Sequence, residues 1–347
     1  MIEYPQYKRT IKYKEEPLME RKTSSSDVIT RAYIDSLLVE VRHLDAVMPS
    51  TEMTLFGKTF ATPVATAALS HMHNQYPDGM AAMADGANQA GALVFSGMGP
   101  KDELERMVQT GAQVIKIIKP YADRDSVYDK IRHAEEIGCL AVGIDTDHAF
   151  NRSGHHRRQA PALATPGECK HSLGLVGQEP DLQGVGYDCI EGMEMFPLSS
   201  AELKDMVAST KLPFFIKGVL SRKEARKCLD CGVKGMVVSH HNGRLECAVP
   251  PLMVLPEIAE EVNGEAALFV DCAIQSGLDV FKCLALGATG ACVGRPLMQP
   301  LREKGPEGVR ETIAAITNDL RYAMAMTASP DVKSIDPSIV RLAKHVW

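Results

Sequence analysis

The sequence has no basic excess and no long apolar run, and both absences narrow the range of functions. The 347 residues carry a formal net charge of −6, and 24% of them are charged. A nucleic-acid partner is not expected, because its phosphates need cationic side chains. Residues 1–22 are rich in charge and have no apolar core, and no apolar stretch elsewhere has membrane-spanning length. We therefore expect a cytoplasmic protein without a membrane partner.

Cysteine pairs at zinc spacing are also missing. Of the nine cysteines, only Cys228 and Cys231 form a close pair, late in a helix-like stretch and without a second pair to complete a metal site. Small core thiols are the better interpretation. Several of the others lie in or beside apolar runs: Cys139, Cys272, Cys283 and Cys292. We predict no metal site.

A glycine-rich turn after the first apolar run is the third absence, and it disfavours an open, doubly wound dinucleotide-binding sheet. Eight short apolar runs occur instead, at residues 63–68, 92–97, 113–118, 140–146, 212–218, 236–241, 267–273 and 291–296. Amphipathic segments separate most of them, at residues 80–90, 102–110, 126–137, 221–230 and 278–286. Eight strand-helix units in series predict an α/β protein with a (β/α)8 TIM barrel at residues 51–347. Residues 1–50 form an N-terminal lead-in with one helix, Asp27 to Leu38, which Ser24, Ser25 and Ser26 are available to cap.

One interval breaks the alternation, between the fourth and fifth runs. We expect a long lid-like insertion at residues 147–211, over the face where barrel enzymes hold their active sites. It contains Arg152 and the basic patch His155 to Arg158, which is most simply a solvated turn. A capping-box pattern, Ser199 to Glu202, predicts a helix near its end.

The polar residues at the strand ends are expected to meet at one mouth of the barrel: Asp145, Lys217, His241, Arg244, Asp271, Gly294 and Arg295. A histidine in a turn is usually structural, but here a carboxylate, a lysine and arginines accompany it. Such a set suits proton removal from an anionic substrate. Gly294-Arg295-Pro296 after the last strand suits a phosphate, although glycine-arginine pairs are common.

These segments resemble the FMN-dependent α-hydroxy acid oxidase and dehydrogenase family, to which glycolate oxidase and lactate oxidase belong. The similarity runs from about Arg42 to Ser329. It is strongest in residues 212–219, in residues 238–244 where the family has Ser-Asn-His-Gly-x-Arg, and in residues 279–288 leading into 294–296.

The resemblance implies a role for each matching residue. His241 would be the catalytic base, Asp145 would orient it, Arg244 and Arg152 would bind the substrate carboxylate, and Lys217 would stabilise the reduced flavin. His240, at the family's asparagine position, would be structural or flavin-facing. The remaining cofactor-binding positions would be Ala67, Ala68, Ser96, Lys116, Ser239, Asp271, Ala273, Gln275, Gly294 and Arg295.

The chain also departs from the family pattern. Lys116-Ile117-Ile118 stands where the family has Gln-x-Tyr, with Gln on the flavin and Tyr on the substrate, so Ile118 would replace the tyrosine and add apolar wall for a bulkier or more apolar substrate. Residues 271–275, Asp-Cys-Ala-Ile-Gln, occupy the positions of the family's Asp-Gly-Gly-Val-Arg. Gln275 therefore replaces an arginine that binds the FMN phosphate in the family. Gly143 replaces a threonine, and the family's N-terminal tyrosine has no secure counterpart, although Tyr13 is a candidate.

The sequence thus predicts an FMN enzyme that oxidises a 2-hydroxy acid to a 2-keto acid, by hydride or carbanion transfer, with oxygen or another electron acceptor. By resemblance it is a homo-oligomer, with a tetramer expected. Two alternatives stay open: a non-catalytic barrel that binds FMN or an anion, and a flavin-dependent isomerase on a related barrel.

Overall fold

The computed structural model describes residues 25–146, 195–242 and 245–343, together with the strand assignments of 152–153 and 162–163. Its helices are α1 (Ser25–Ser36), α2 (Gly79–Gln89), α3 (Lys101–Gln109), α4 (Arg124–Glu136), α5 (Ser200–Ala208), α6 (Arg222–Asp230), α7 (Pro251–Val262), α8 (Gly277–Ala285), α9 (Arg295–Lys304) and α10 (Pro306–Ala325). Its strands are β1 (Leu37–Val39), β2 (Met53–Leu55), β3 (Lys58–Phe60), β4 (Val64–Thr66), β5 (Val94–Ser96), β6 (Val114–Ile118), β7 (Ala141–Asp145), β8 (Arg152–Ser153), β9 (Ala162–Leu163), β10 (Phe214–Val219), β11 (Gly235–Val238), β12 (Ala267–Val270), β13 (Gly290–Val293) and β14 (Val340–Leu342). Two 3-10 turns occur at Met72–Asn74 and Pro337–Ile339.

Eight of these strands form one parallel sheet in the order β4-β13-β12-β11-β10-β7-β6-β5. Parallel bridges from Ala65 to Leu93 and from Leu69 to Ser96 join the two end strands. The sheet therefore closes on itself, and the predicted (β/α)8 barrel is confirmed. All eight apolar runs are its strands, and the five amphipathic segments are helices of its outer layer.

Alternation along the strands separates two hydrophobic cores. Ile115, Ile117, Phe215, Val237 and Phe269 belong to a cluster that fills the barrel lumen. The intervening strand residues belong to a larger cluster between strands and helices. The parity of a residue on its strand therefore tells which core it faces, and this decides which polar residues reach the site.

The hairpin of β2 and β3 packs against the lumen cluster, with Met53, Leu55 and Phe60 buried in it. The ring of Phe56, in the hairpin turn, lies edge-on to Phe215 at 6.0 Å between centroids. A side chain on Gly143 would collide with the backbone and Cβ of Phe215, at 2.4 and 2.6 Å. The close approach of the β10 backbone at Phe215 thus leaves no room for a side chain at Gly143, where the family has a threonine.

The lead-in helix α1 packs on the barrel and starts two residues earlier than predicted. Its Arg31 forms a two-pronged ion pair with Asp279 of α8, at 2.9 and 3.0 Å. The prediction that the serines cap this helix is wrong for Ser25 and Ser26, which lie inside it. Their hydroxyls bond Glu246 and the Leu245 carbonyl, because this turn of the helix lies against the loop after β11. Ser24 lies outside the described residues.

The sequence places strand ends too late at the mouth: β11 ends at Val238, three residues before His241. The capping box is confirmed, since Ser199 and Glu202 bond each other's backbone N–H at the start of α5.

The described cysteines are free thiols, and burial raises the pKa of Cys228 to about 12. Within the described ranges, no helix combines the length and apolar character needed to cross a membrane.

Candidate active site

His241 occupies a sharp turn just beyond β11. Both His241 and Asn242 have left-handed backbones, with φ of 51° and 52°, and the His241 N–H donates to Ser239 Oγ at 3.0 Å. Non-glycine residues rarely adopt this conformation. The turn brings His241 Nδ1 to 3.5 Å from Asp145 Oδ2 and 3.3 Å from Lys217 Nζ. The His241 side chain is 28% exposed, whereas that of Asp145 is 3% exposed.

Lys217 reaches the lumen from a bulge in β10. Its Cα is in register with Val237, but the next paired residue is Val219, so Gly218 is an extra residue at φ 106°. Lys217 Nζ lies 3.7 Å from Asp145 Oδ2, 3.8 Å from Asp271 Oδ2 and 3.4 Å from Ser239 Oγ. The structure therefore brings His241, Asp145, Lys217, Asp271 and Ser239 together at one mouth.

A residue that the sequence analysis missed completes the group. Lys119 follows β6 directly, is 7% exposed, and its Nζ bonds Asp145 Oδ2. The signal was present in the strand alternation: Ile115 and Ile117 are in the lumen core, so the next residue on that face is Lys119. Asp145 thus stands among two ammonium groups and one imidazole.

The same alternation places Lys116, Ile118 and Ser96 away from this group. Lys116 lies between Val114 and Ile118, which are in the outer core, and its Nζ donates to the Gly97 carbonyl at 2.6 Å. Ile118 is 2% exposed in the outer core and forms no wall of the mouth, so the expectation of an apolar substrate pocket has no support there. Ser96 alternates with Phe95, which is in the lumen core.

Glu103 of α3 lies near Lys116, on the helix side of the barrel wall. Burial raises its pKa to about 7, partly opposed by the positive charge of Lys116. The stability of this layer, outside the mouth, therefore depends on the protonation of Glu103.

His240 points away from the base. Its Nε2 lies 2.7 Å from Thr30 Oγ1 of α1, and the side chain is almost fully buried. Burial lowers the pKa of His240. We infer that this residue joins the lead-in helix to the barrel, which agrees with the structural role expected for it.

The first and last strands meet at Gly294. The Ala67 N–H donates to the Val293 carbonyl at 2.8 Å, and a side chain on Gly294 would lie 3.2 Å from Ala67 Cβ. Ala67 and Ala68 both pack against the lumen core. The first-strand segment therefore runs beside the start of α9.

Helix α9 begins at Arg295, and the exposed N–H groups of a helix N-terminus suit an anion. Arg295 is half exposed, and its Nη2 contacts Asn242 Oδ1 at 3.1 Å and Asp27 Oδ1 at 3.4 Å. Asp27 is thus a carboxylate beside the guanidinium that the sequence assigns to a phosphate.

Segment 271–275 keeps a glycine-like backbone despite its side chains. Cys272 and Ala273 have φ of 74° and 62°. The Cys272 thiol donates to Asp271 Oδ1 at 3.0 Å, and burial raises its pKa well above the usual range. The Gln275 N–H donates to Asp279 Oδ2 at 2.9 Å. The left-handed turn is therefore preserved, whereas the phosphate-binding arginine is not.

Expected features of the insertion and of the loop after β11 lie outside the described residues. They are Arg244, the side chain of Arg152, and the patch His155 to Arg158; Arg152 is described only as part of strand β8, which pairs with β9. Tyr13 also lies outside them.

A closed parallel barrel with a histidine, carboxylates and lysines at the carboxyl ends of its strands defines a barrel enzyme of the proton-abstracting kind. The chain belongs to the FMN-dependent dehydrogenase family, whose model matches residues 21–342. It is 31% identical over 314 residues to 4-hydroxymandelate oxidase of Amycolatopsis orientalis, covering 89% of this chain and 88% of that protein. It is 28% identical over 297 residues to human 2-hydroxyacid oxidase 1, covering 83% and 80%. Among solved structures, mandelate oxidase with (S)-2-phenylpropionate is similar with a TM-score of 0.77 and 28% identity, covering 91% of this chain and 89% of that one.

The residues present fit FMN. The left-handed turn at Cys272 and Ala273 follows β12, and α9 with Arg295 at its N-terminus follows the neighbouring strand β13; backbone N–H groups and a guanidinium at such strand ends suit a terminal phosphate. Lys217 supplies a buried positive charge in the mouth, which suits an anionic reduced flavin. The chain is therefore an FMN-dependent oxidoreductase.

Proposed function

We propose that this protein oxidises the α-hydroxyl group of an (S)-2-hydroxy acid to a 2-keto acid. The observation that carries the proposal is His241, whose Nδ1 faces Asp145 and Lys217 at 3.5 and 3.3 Å while a quarter of its side chain is exposed at the mouth. Relatives named as oxidases of mandelate-type and other 2-hydroxy acids support it. We further propose oxygen as the electron acceptor, on the same support.

In this reaction the substrate loses two protons and two electrons. His241 accepts one proton, and FMN, when bound, would supply the acceptor for the other hydrogen and the electron pair. Because Nδ1 faces Asp145, the ring nitrogen on the opposite edge, Nε2, takes the proton. Asp145 then stabilises the imidazolium by its negative charge and fixes the ring orientation.

Lys217 has two functions in this proposal. Its contact with Asp145 holds the carboxylate in place, and its positive charge stabilises negative charge that develops on the cofactor. We assign the binding of the substrate carboxylate to Arg152 and Arg244 from the family resemblance, because guanidinium groups bind carboxylates through paired hydrogen bonds.

The insertion at residues 147–211 is proposed to cover the mouth. Its ends support this, since the Thr146 N–H donates to the Lys217 carbonyl at 2.8 Å and Met195 pairs with Tyr121 just after β6. The chain thus leaves and re-enters the described part at the carboxyl ends of the strands. Residues 1–50 are proposed as a lead-in that packs on the barrel.

A homo-oligomer, with a tetramer expected, is also proposed. The large exposed apolar side chains of Leu44 and Met48, 89% and 84% exposed, support burial of this segment by another subunit. A cytoplasmic location is proposed from composition.

The test is anaerobic mixing of the purified yellow protein with a panel of 2-hydroxy acids while flavin absorbance is followed. His241→Ala should slow flavin reduction about 10²- to 10⁴-fold, the usual contribution of a general base, with FMN still bound. His240→Ala is the matched control, and should slow it much less. Flavin reduction at the wild-type rate in His241→Ala would refute the assignment of the base.

A further inference from the structure

Strand β6 presents two lysines near its carboxyl end, one to each face of the barrel wall. Lys116 shares its face with outer-core residues, whereas Lys119 follows the lumen residues Ile115 and Ile117. In the family that this chain resembles, a flavin-binding Gln and a substrate-binding Tyr stand two residues apart on this strand. Residues two apart share one face of a strand, and residues that contact flavin and substrate must face the lumen. The lumen positions here are 117 and 119. Lys119, and not Ile118, therefore stands where the substrate tyrosine is expected.

We propose that Lys119 is a positioning residue that sets how much of the Asp145 charge reaches the imidazole of His241. The catalytic consequence rests on the proposed function, whereas the charge effect does not. The residue acts through Asp145, since its Nζ bonds that carboxylate.

Four charged groups face the imidazole or its partners from four elements. Asp145 comes from β7, Lys217 from β10, Asp271 from the end of β12 and Lys119 from the end of β6. Lys119 Nζ and His241 Nδ1 contact the same oxygen, Asp145 Oδ2. Each ammonium group therefore offsets part of the carboxylate charge that would otherwise stabilise the imidazolium.

Removal of the Lys119 charge leaves more of the Asp145 charge facing His241. The imidazole then binds its proton more tightly and remains protonated to a higher pH. Loss of a charge at this range changes a titration midpoint by about one pH unit or more. The Lys119 charge thus weakens the attraction between Asp145 and a protonated His241, whereas a neutral tyrosine at this position has no such effect.

The titration of His241 is measured directly by NMR on holoprotein labelled at histidine Cε1, with the resonance assigned by its loss in His241→Gln. Lys119→Met should raise the titration midpoint by about one pH unit. Lys119→Gln keeps a donor for Asp145 without the charge and should raise it equally, and it also serves if Lys119→Met does not fold. Lys119→Arg keeps the charge and should titrate as the wild type does.

Lys116→Met is the matched control, because it removes the same buried charge from the same strand on the opposite face. It should leave the His241 midpoint in place. An unchanged midpoint in both Lys119→Met and Lys119→Gln, or an equal shift in Lys116→Met, would overturn the inference.

The catalytic consequence is read from the acid limb of flavin reduction against pH. This limb should move to higher pH in Lys119→Met by the amount that the NMR titration moves, and stay in place in Lys119→Arg. If no hydroxy acid reduces the wild-type flavin, the proposed function fails, and the NMR comparison still decides the charge effect.

Discussion

Replacing Asp145 with asparagine is expected to destabilise the fold as well as to slow the reaction. Asp145 is 2% exposed and contacts Lys119, Lys217 and His241. The substitution would leave the ammonium of Lys119 buried beside a neutral amide. Truncating one partner of a buried ion pair commonly costs about 3 to 5 kcal/mol, because the other charge is left uncompensated.

The distances indicate which partner dominates that cost. A unit charge pair at the 3.7 Å between Lys217 Nζ and Asp145 Oδ2 interacts by about 4 kcal/mol at an effective dielectric constant near 20. Lys217 also has Asp271 at 3.8 Å, which retains much of its compensation in the variant. Lys119 Nζ bonds Asp145 directly and is therefore expected to contribute more to the loss than Lys217 does.

A double-mutant cycle measured by urea unfolding tests this reasoning. Asp145→Asn should lower the free energy of unfolding by about 3 to 5 kcal/mol. Adding Lys119→Met should recover part of it, with a coupling energy of roughly 1 to 3 kcal/mol, because the ammonium group that bonded the lost carboxylate has been removed. Arg106→Met, on the exposed side of α3, is a surface control with little expected effect. A loss below about 1 kcal/mol for Asp145→Asn, or strict additivity of the two changes, would refute the description of a buried charge cluster.

Four further outcomes are expected. Since the folded chain keeps Glu103 protonated up to a pKa of about 7, above its unfolded value, stability should fall as pH rises from about 4.5 to about 7, and Glu103→Gln should abolish roughly 3 kcal/mol of that fall in urea unfolding; equal pH dependence in both proteins would contradict it. Ala273→Gly should raise the free energy of unfolding by about 0.5 to 1 kcal/mol, because it relieves a left-handed alanine; no gain in stability would show that this turn is unstrained. Gln275→Arg should tighten FMN binding in a fluorescence titration of apoprotein. Unchanged FMN affinity would show that the phosphate is held elsewhere. Arg152→Lys should raise the Michaelis constant more than it lowers the rate at saturation, whereas Arg244→Lys should lower both measures of turnover, and insensitivity to both would remove them from the carboxylate site.

The barrel was predictable because its eight strands are buried on both faces and read as apolar runs bounded by helices. Strand ends were less predictable. His241 was placed on a strand, but the backbone becomes left-handed at His241 itself, and hydrophobicity carries no signal for that turn. The serines of α1 were taken as caps because sequence does not show that the loop after β11 lies against them.

The candidate catalytic group was predictable where a motif is specific and less so where only spacing guides the alignment. His241, Asp145 and Lys217 follow from strand-end motifs, and the structure brings them within hydrogen-bonding or ion-pairing distance. On β6, Lys116 and Ile118 were aligned with the family's Gln and Tyr, but both residues face the helices. Lumen side chains must alternate with these, so Lys119 is the residue that meets Asp145.

The most direct test of the proposed chemistry compares a 2-hydroxy acid with its methyl ester under anaerobic conditions. The ester keeps the α-hydroxyl but lacks the carboxylate that the two arginines are proposed to bind. We predict rapid flavin bleaching by at least one 2-hydroxy acid of the panel, with release of the 2-keto acid, and far slower bleaching by its ester. Equal rates for acid and ester, or no bleaching by any hydroxy acid in protein that retains FMN, would contradict the proposed function.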